Sequence, residues 1–259
     1  MSNVYITFSG PEFDESTKLI VERARDFGAD EVMVYDDRWL MKRTKFYMAN
    51  RWIFDRRPAM GFGWCSWKPY IIGEELRHRQ PGDVVLYTDA DTYPIADLRG
   101  LFEHARQRGV MLFEEQGCNH RFFTRAECWR AMGVEPQLDT ALACGRFQLF
   151  AAEWNWQPFL ERWQHFSLDE RCQFHEPNPE DREVIRHSAE QSVLSLVALD
   201  WKIPLHRTPD QAGWPREWNG TYKLEDAYPQ VFVQAGTRSH LPGVYGSKYR
   251  NLGQSRGDF

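Results

Sequence analysis

Two carboxylates separated by one small residue, Asp89-Ala90-Asp91, follow directly on the strongest strand-like run of the chain, Asp83-Val-Val-Leu-Tyr-Thr88. The position just past the carboxyl end of a buried strand is where open α/β sheets bind ligands. Side chains alternate across an extended segment, so both carboxylates reach one ion only if the chain bends between them. Hard oxygen donors in this pattern suit Mg2+ or Mn2+, ions commonly shared with substrate phosphates. The chemistry these residues point to is a divalent cation holding a diphosphate. The same spacing also marks turns and helix caps; the apolar strand in front of it favours the ligand reading.

The elements that must carry this pair alternate between strand and helix. Val4-Tyr-Ile-Thr-Phe8 is a short apolar run ended by Gly10-Pro11, hence a buried strand. Leu19, Ile20, Ala24 and Phe27 then recur at helical spacing, and Glu31-Val-Met-Val-Tyr35 reads as a second strand ending in Asp36-Asp37. A basic stretch from Met41 to Arg57 holds a short helix and loop, and Pro69 to Arg79 a further helix. Beyond the carboxylate pair the pattern predicts a helix near Asp97–Arg108, a strand at Val110–Glu114, a helix near Arg125–Met132 and a strand over 141–152. One helix follows on the face of Trp156, Phe159, Leu160 and Trp163, and another on Val193 to Leu199. His175 to Arg182 reads as a loop, and the last fifty residues, rich in Gly, Pro, Trp and Arg, as a segment packing over something. Such alternation predicts an α/β architecture, a mainly parallel central sheet flanked by helices, in one domain over 1–259. Residues 1–100 form its first half, ending just past the carboxylate pair, and 101–259 its second.

Composition bounds the function. With 42% hydrophobic and 27% charged residues, the 259-residue chain is an ordinary globular protein. No apolar run approaches the length of a membrane span, and no signal peptide is visible at the start. A net charge of −5 offers no overall footprint for nucleic acid. Five cysteines without a C-x-x-C pair predict free thiols in a reducing cytoplasm rather than a disulfide framework or a zinc site. The 15% aromatic content, including 11 Trp, suits stacking on ring-shaped ligands as well as an aromatic core.

Gly82-Asp-Val-Val-Leu-Tyr-Thr-Asp-Ala-Asp91 resembles the strand and D-x-D motif of GT-A (Rossmann-like) nucleotide-sugar glycosyltransferases. Upstream, Gly61-Phe-Gly-Trp-Cys-Ser-Trp-Lys-Pro-Tyr-Ile-Ile72 is similar to the GxGYWxWKPxII block of the bacterial polysaccharide enzymes of that class. Downstream, His187-Ser-Ala-Glu-Gln-Ser-Val-Leu-Ser-Leu196 resembles their HRxDQSxLSL segment. More distantly, Ala143-Cys144-Gly145, Glu190-Gln191 and His240-Leu-Pro-Gly243 followed by Lys248 keep the order of motifs in glycogenin-like and lipopolysaccharide galactosyltransferase enzymes. The chain departs from those patterns at Ala143, Ser188 and Glu190, and Lys248 lies two residues late.

The resemblance implies a GT-A fold and a set of roles. Asp89 and Asp91 would hold Mn2+ or Mg2+, with His240 as a third ligand, and Asp89, Lys68 and Lys248 would contact the donor diphosphate. Phe8 ends the first strand near the nucleotide, and Asp36 or Asp37 would accept hydrogen bonds from base or ribose. Glu190 and Gln191 would sit beside the anomeric carbon, where positive charge develops. A carboxylate in a first helical turn is also favoured by the helix dipole, which accounts for Glu190 but not for Gln191. Glu114 and Glu115 would face the acceptor, and Trp154, Trp156, Trp214 and Trp218 are candidate sugar platforms. In an inverting enzyme Glu190, Asp181 or His187 would serve as the general base.

The function expected is thus sugar transfer from a nucleotide donor, a UDP-hexose foremost, onto a polysaccharide or glycolipid, in the cytoplasm and with at most peripheral membrane contact. The late His-x-x-Gly element resembles retaining enzymes; inversion is the alternative. A non-catalytic carbohydrate-binding protein would keep the aromatic surfaces without needing Asp89 and Asp91. A sugar nucleotidyltransferase would need a basic Gly-rich loop after the first strand, where this chain has the acidic Ser9-Gly-Pro-Glu-Phe-Asp14.

Overall fold

The computed structural model describes residues 1–10, 13–43, 45–55, 62–173, 181–210 and 230–234. The first βαβ unit follows the sequence pattern: β1 (Asn3–Phe8), α1 (Asp14–Asp26) and β2 (Glu31–Tyr35). Short helices α2 (Asp37–Arg43), α3 (Lys45–Ala49) and α4 (Arg51–Phe54) fill the basic stretch, and α5 (Lys68–Leu76) leads to β3 (Val84–Asp89) and β4 (Thr92–Pro94). Then come α6 (Arg99–Arg108), β5 (Val110–Asn119), α7 (His120–Phe123), α8 (Ala126–Met132), β6 (Ala141–Ala143) and β7 (Phe147–Ala151). The remainder is α9 (Trp156–Ser167), α10 (Glu170–Gln173), α11 (Ala189–Asp200), β8 (Leu205–His206) and β9 (Phe232–Gln234).

The central sheet has the order β2-β1-β3-β7-β5-β6, with β8 also paired to β5. Five of its seven strands run the same way, and only β6 and β7 oppose them. The segment 141–152, expected as one strand, is therefore two, broken at Cys144-Gly145-Arg146. The break escapes pattern reading because Cys144 is buried and apolar residues flank the turn on both sides.

Alternation sorts the strands between two cores. Val4, Ile6 and Phe8 of β1 with Val85 and Tyr87 of β3 face α5, α9 and α11, while Tyr5, Val84 and Leu86 face α1 and α6. Helix α11 is apolar nearly all round and buried accordingly, and α5 packs on α9. Because β1 has β2 on one side and β3 on the other, consecutive connections leave β1 in opposite directions. The carboxyl ends of β1 and β3 thus form a topological switch point, with Phe8 opposite Asp89 in register. No helix among the described residues is long and apolar enough to cross a membrane. All five cysteines are free thiols.

His120 opens α7 on the wall of a 480 Å³ cavity between β5, β6 and α11. It is buried, its Nδ1 lies 3.0 Å from Thr124 Oγ1, and burial holds its pKa down at about 4 against an ordinary 6.5. The unfolded chain therefore binds a proton between pH 6.5 and 4 that the folded chain refuses, so stability is complete above that window and falls as pH drops through it. A loss of roughly 3 kcal/mol is expected by pH 4 from this group. Urea titrations of wild type and His120→Gln across that range check it; equal slopes for the two would sink the assignment.

Candidate active site

At the switch point an aromatic cavity of 250 Å³ opens between the ends of β1 and β3 and the start of α2. Phe8 stacks on Trp67 with centroids 3.8 Å apart and planes at 22°, and Phe62, Phe13 and Tyr87 complete the apolar walls. Asp37, Asp89 and Asp91 supply the polar rim. The wall is built by a strained turn: Gly63, Trp64 and Cys65 all have left-handed backbone, with φ of 56°, 54° and 60°. Only glycine fits at position 63, since a Cβ there would lie 2.3 Å from the Phe54 ring. Two non-glycine residues in that region are costly, a kind of strain that gathers at functional sites. The turn carries Cys65 and Trp67 into the cavity wall; burial pushes the Cys65 thiol up to about 12, so it is not a thiolate nucleophile at neutral pH.

The chain bends where the chemistry requires it. Strand β3 stops at Asp89, Ala90 and Asp91 form a turn, and β4 starts at Thr92. Both carboxylates thereby reach the same cavity. Asp89 Oδ1 accepts from Tyr87 Oη at 2.6 Å and faces Lys68 Nζ at 3.0 Å. Lys68, the first residue of α5, is buried; its ammonium also donates to the Gly145 carbonyl at 2.8 Å and lies 3.6 Å from Glu190 Oε2. Its donors thus meet Asp89 and the Gly145 carbonyl at hydrogen-bond distance, with Glu190 a longer ion pair. Burial would lower the Lys68 pKa, but Asp89 and Glu190 outweigh it and hold the ammonium charged well above its ordinary value.

Glu190 is buried at the start of α11, and its Oε1 has no hydrogen-bond partner among the described residues. Burial, opposed by Lys68 and reinforced by Asp89, pushes its carboxyl up to about 7. The turn at Gly145 runs beside it: a Cβ at 145 would stand 3.6 Å from both Glu190 oxygens and from Gln191 Cβ. Gln191 Nε2 donates to Glu115 Oε2 at 3.4 Å. Asp91 belongs to a second network, in which its Oδ2 accepts from Gln234 Nε2 at 3.2 Å. Arg146 bonds Gln234, Asp210 and Glu115 in turn, at 3.1, 3.0 and 3.1 Å. Burial first, then the nearby Asp89 charge, raises the Asp91 pKa.

Of the residues singled out from sequence, Phe8, Asp89 and Asp91 line the cavity, and Lys68, Glu190 and Gln191 gather beside it. Asp36 and Asp37 part company: Asp36 Oδ1 accepts the Trp39 N–H at 2.6 Å, capping α2, while Asp37 lines the cavity. Glu114 and Glu115 also diverge, Glu115 toward Arg146 and Glu114 into the 480 Å³ cavity. Asp181 pairs with Arg125 at 3.1 Å and accepts the Ala126 N–H. His187 accepts the Arg125 N–H at Nδ1 and donates to the Cys172 carbonyl from Nε2, so both residues hold α8 and α10 in place. Trp154 packs against Phe150, Phe159 and Trp201 in the core, and Trp156 lies over Gly73. Trp214, Trp218, His240 and Lys248 lie outside the described residues.

Tyr87, Arg146, Gln234 and the Gly145 carbonyl were not anticipated. Tyr87 had a signal, since a residue two before Asp89 on a strand shares its face. The other three come from positions at least 54 residues further along the chain.

The residues present fit a divalent cation. Two hard carboxylates meet on one turn, and burial first, then the neighbouring Asp89 charge, disfavours the ionised Asp91 there. Asp89 Oδ2 and the cavity side of Asp91 would hold such an ion, the remaining positions being left for phosphate oxygens and water. No group of three or more His, Cys, Asp or Glu side chains that could hold a metal occurs among the described residues.

No protein-family model matches the sequence, and no curated protein does. Among solved structures the chain is similar to mouse xyloside xylosyltransferase 1 in its apo form, at a TM-score of 0.51 and 9% identity. The likeness covers 93% of this chain and 99% of that one. The chain therefore has a Rossmann-like GT-A glycosyltransferase fold, a mainly parallel sheet flanked by helices.

Proposed function

We propose that this chain is a metal-dependent glycosyltransferase that moves a sugar from a nucleotide donor, a UDP-hexose foremost, to a polysaccharide or glycolipid acceptor in the cytoplasm. The observation that carries the reading is the meeting of Asp89, Asp91, Lys68 and Glu190 beside an aromatic cavity at the switch point of a glycosyltransferase fold. Phe8 and Trp67 would form a wall for the nucleoside, with Asp37 accepting from base or ribose. Asp89 and Asp91 would hold Mn2+ or Mg2+ against the diphosphate, which when bound stabilises the charge on the departing nucleotide. His240 as a third ligand and Lys248 on the diphosphate complete the proposal.

Lys68, held by Asp89 and the Gly145 carbonyl and 3.6 Å from Glu190, would fix the two carboxylates at the edge of the site and contact the donor diphosphate from there. Glu190 Oε1, buried and without a partner among the described residues, would take a substrate hydroxyl or face the positive charge growing at the anomeric carbon. Gln191 offers its amide oxygen from the same helical turn. Retention is the reading that goes with the His-x-x-Gly element. Inversion has an observation of its own, since a carboxyl pushed up to about 7 suits a general base on the acceptor hydroxyl.

Calorimetry tests the reading. UDP is expected to bind in the presence of Mn2+ and to lose that binding in EDTA, after which a hydrolysis screen of UDP-sugars identifies the donor and NMR of the product its anomer. Absence of binding by every nucleotide tried, with metal present, would leave a carbohydrate-binding protein as the better account.

A further inference from the structure

The sequence carries a charge segregation that the donor site does not use. Residues 38–57 hold seven Lys and Arg and one acid, Asp55, a net +6 inside a chain whose total is −5. Its described residues include α2, α3 and α4, whose inner faces bury Leu40, Phe46, Ile53 and Phe54 in the core. Their outer faces combine cations with apolar side chains. Arg38, Met41 and Lys42 lie one helical turn apart on α2, and Lys45 and Met48 repeat the pattern on α3. Met41 is 40% and Met48 65% exposed, two of the few large hydrophobic side chains left so open among the described residues. Arg38, Lys42 and Lys45 make no ion pair among the described residues; Arg51 pairs with Asp55 at 2.9 Å. Half-buried Trp39, Tyr47 and Trp52 sit between the two faces.

We propose that this outer face docks on an anionic lipid bilayer. Unpaired cations on a protein of opposite net charge are kept where they meet a dense negative surface. Clusters of Lys and Arg on short amphipathic helices are attracted by anionic headgroups within a Debye length. Exposed unbranched thioethers beside them would gain by entering the acyl boundary, and half-buried Trp and Tyr suit the interfacial depth. A nucleic acid would use the cations but leave the methionines in water, so the bilayer is the partner this composition fits. Sequence reading by itself finds no basic amphipathic helix here, because each helix is shorter than two turns and the exposed cations and methionines are divided between α2 and α3.

The face also adjoins the candidate active site. Asp37, the first residue of α2, lines the aromatic cavity, and Phe54 of α4 stacks near Phe62 of the cavity wall with centroids 5.0 Å apart. Docking would therefore hold the cavity close to the lipid surface, where a glycolipid acceptor presents its sugar. That consequence rests on the glycosyltransferase reading; the docking itself does not.

Flotation of the full chain with vesicles tests it. Binding is expected to vesicles of phosphatidylglycerol mixed with phosphatidylcholine, not to pure phosphatidylcholine, and to fall steeply between about 0.1 M and about 0.5 M salt. Lys42→Glu with Lys45→Glu should weaken it by at least about tenfold, and Met41→Ser with Met48→Ser by about threefold or more. All four positions are exposed, so the variants should keep the wild-type Tm and the wild-type response to UDP with Mn2+. Failure to float, equal flotation on neutral vesicles, indifference to charge reversal, or displacement from vesicles by mixed-sequence RNA would each overturn the docking. A chain that floats as expected but binds no nucleotide would instead overturn the enzymatic reading and leave the docking standing.

Discussion

Asp91→Asn is expected to abolish Mn2+-dependent UDP binding and to lower turnover by on the order of 10³-fold, while the free protein melts at the wild-type temperature or slightly above it. The two effects have opposite signs for one reason. Asp91 is held in a partly buried turn beside Asp89, and its raised pKa shows that the ionised form is disfavoured there without a counter-cation. Asn keeps the shape and can still bond to Gln234 and Thr92, whose contacts at 3.2 Å hold the present carboxylate. Removing the charge thus relieves the cost of burying it, and then its repulsion with Asp89, in the free protein and removes a ligand from the loaded one. A group placed for stability would lose on both counts. Unchanged UDP affinity in Mn2+ for the Asn variant would sink the assignment of the carboxylate pair, whatever its turnover.

Lys68→Met is expected to have the largest effect on stability. The ammonium is the cation recorded in contact with both Asp89 and Glu190, and it is 3% exposed. Removing one partner of a buried ionic group leaves the other charges uncompensated, at a cost of about 3–5 kcal/mol. In a chain of this size that lowers Tm by roughly 10 °C. The deficit should depend on pH with a definite sign. Glu190, already pushed up to about 7 against an ordinary 4.5, loses the cation that lowers it, so its folded pKa climbs further. The folded chain then holds a proton that the unfolded chain releases above 4.5, and stability falls as pH rises. The Lys68→Met deficit is therefore expected to be smaller at pH 5 than at pH 8. Adding Glu190→Gln should recover part of the loss, because an amide needs no counter-charge. Denaturant titrations at the two pH values check this, and a deficit that grows on acidification would refute the ionic account of the triad.

Much of the site was legible along the chain because its first half is local. A buried apolar strand followed by Asp89-Ala90-Asp91 already requires a bend for both carboxylates to act together, and the turn between β3 and β4 supplies it. The place of Glu190 in the first turn of α11 likewise follows from a carboxylate set just before an apolar helical run. The single strand expected over 141–152 failed because its turn carries no hairpin signature: Gly145 lies between buried Cys144 and an Arg146 whose charge is spent on Glu115 and Asp210. For Lys68 a position beside aromatic residues leaves two readings, donor phosphate or solvent. Its burial beside Asp89, Gly145 and Glu190 depends on partners far along the chain.

What the amino-acid order by itself determined is the alternation of strands and helices, the carboxylate pair at a strand end, the aromatic abundance and the cationic stretch after β2. Each of these depends on neighbours within a few residues, where periodicity and turn chemistry operate. Only the tertiary structure decided which acid caps and which lines the cavity, that Lys68 serves two carboxylates at once, and that Arg146 reaches Asp91 through Gln234. It also decided that cations and methionines of two short helices, α2 and α3, are left exposed together. Those outcomes depend on desolvation and on distances between groups far apart in the chain, which the packing of α5 and α11 against the sheet sets and local sequence does not contain.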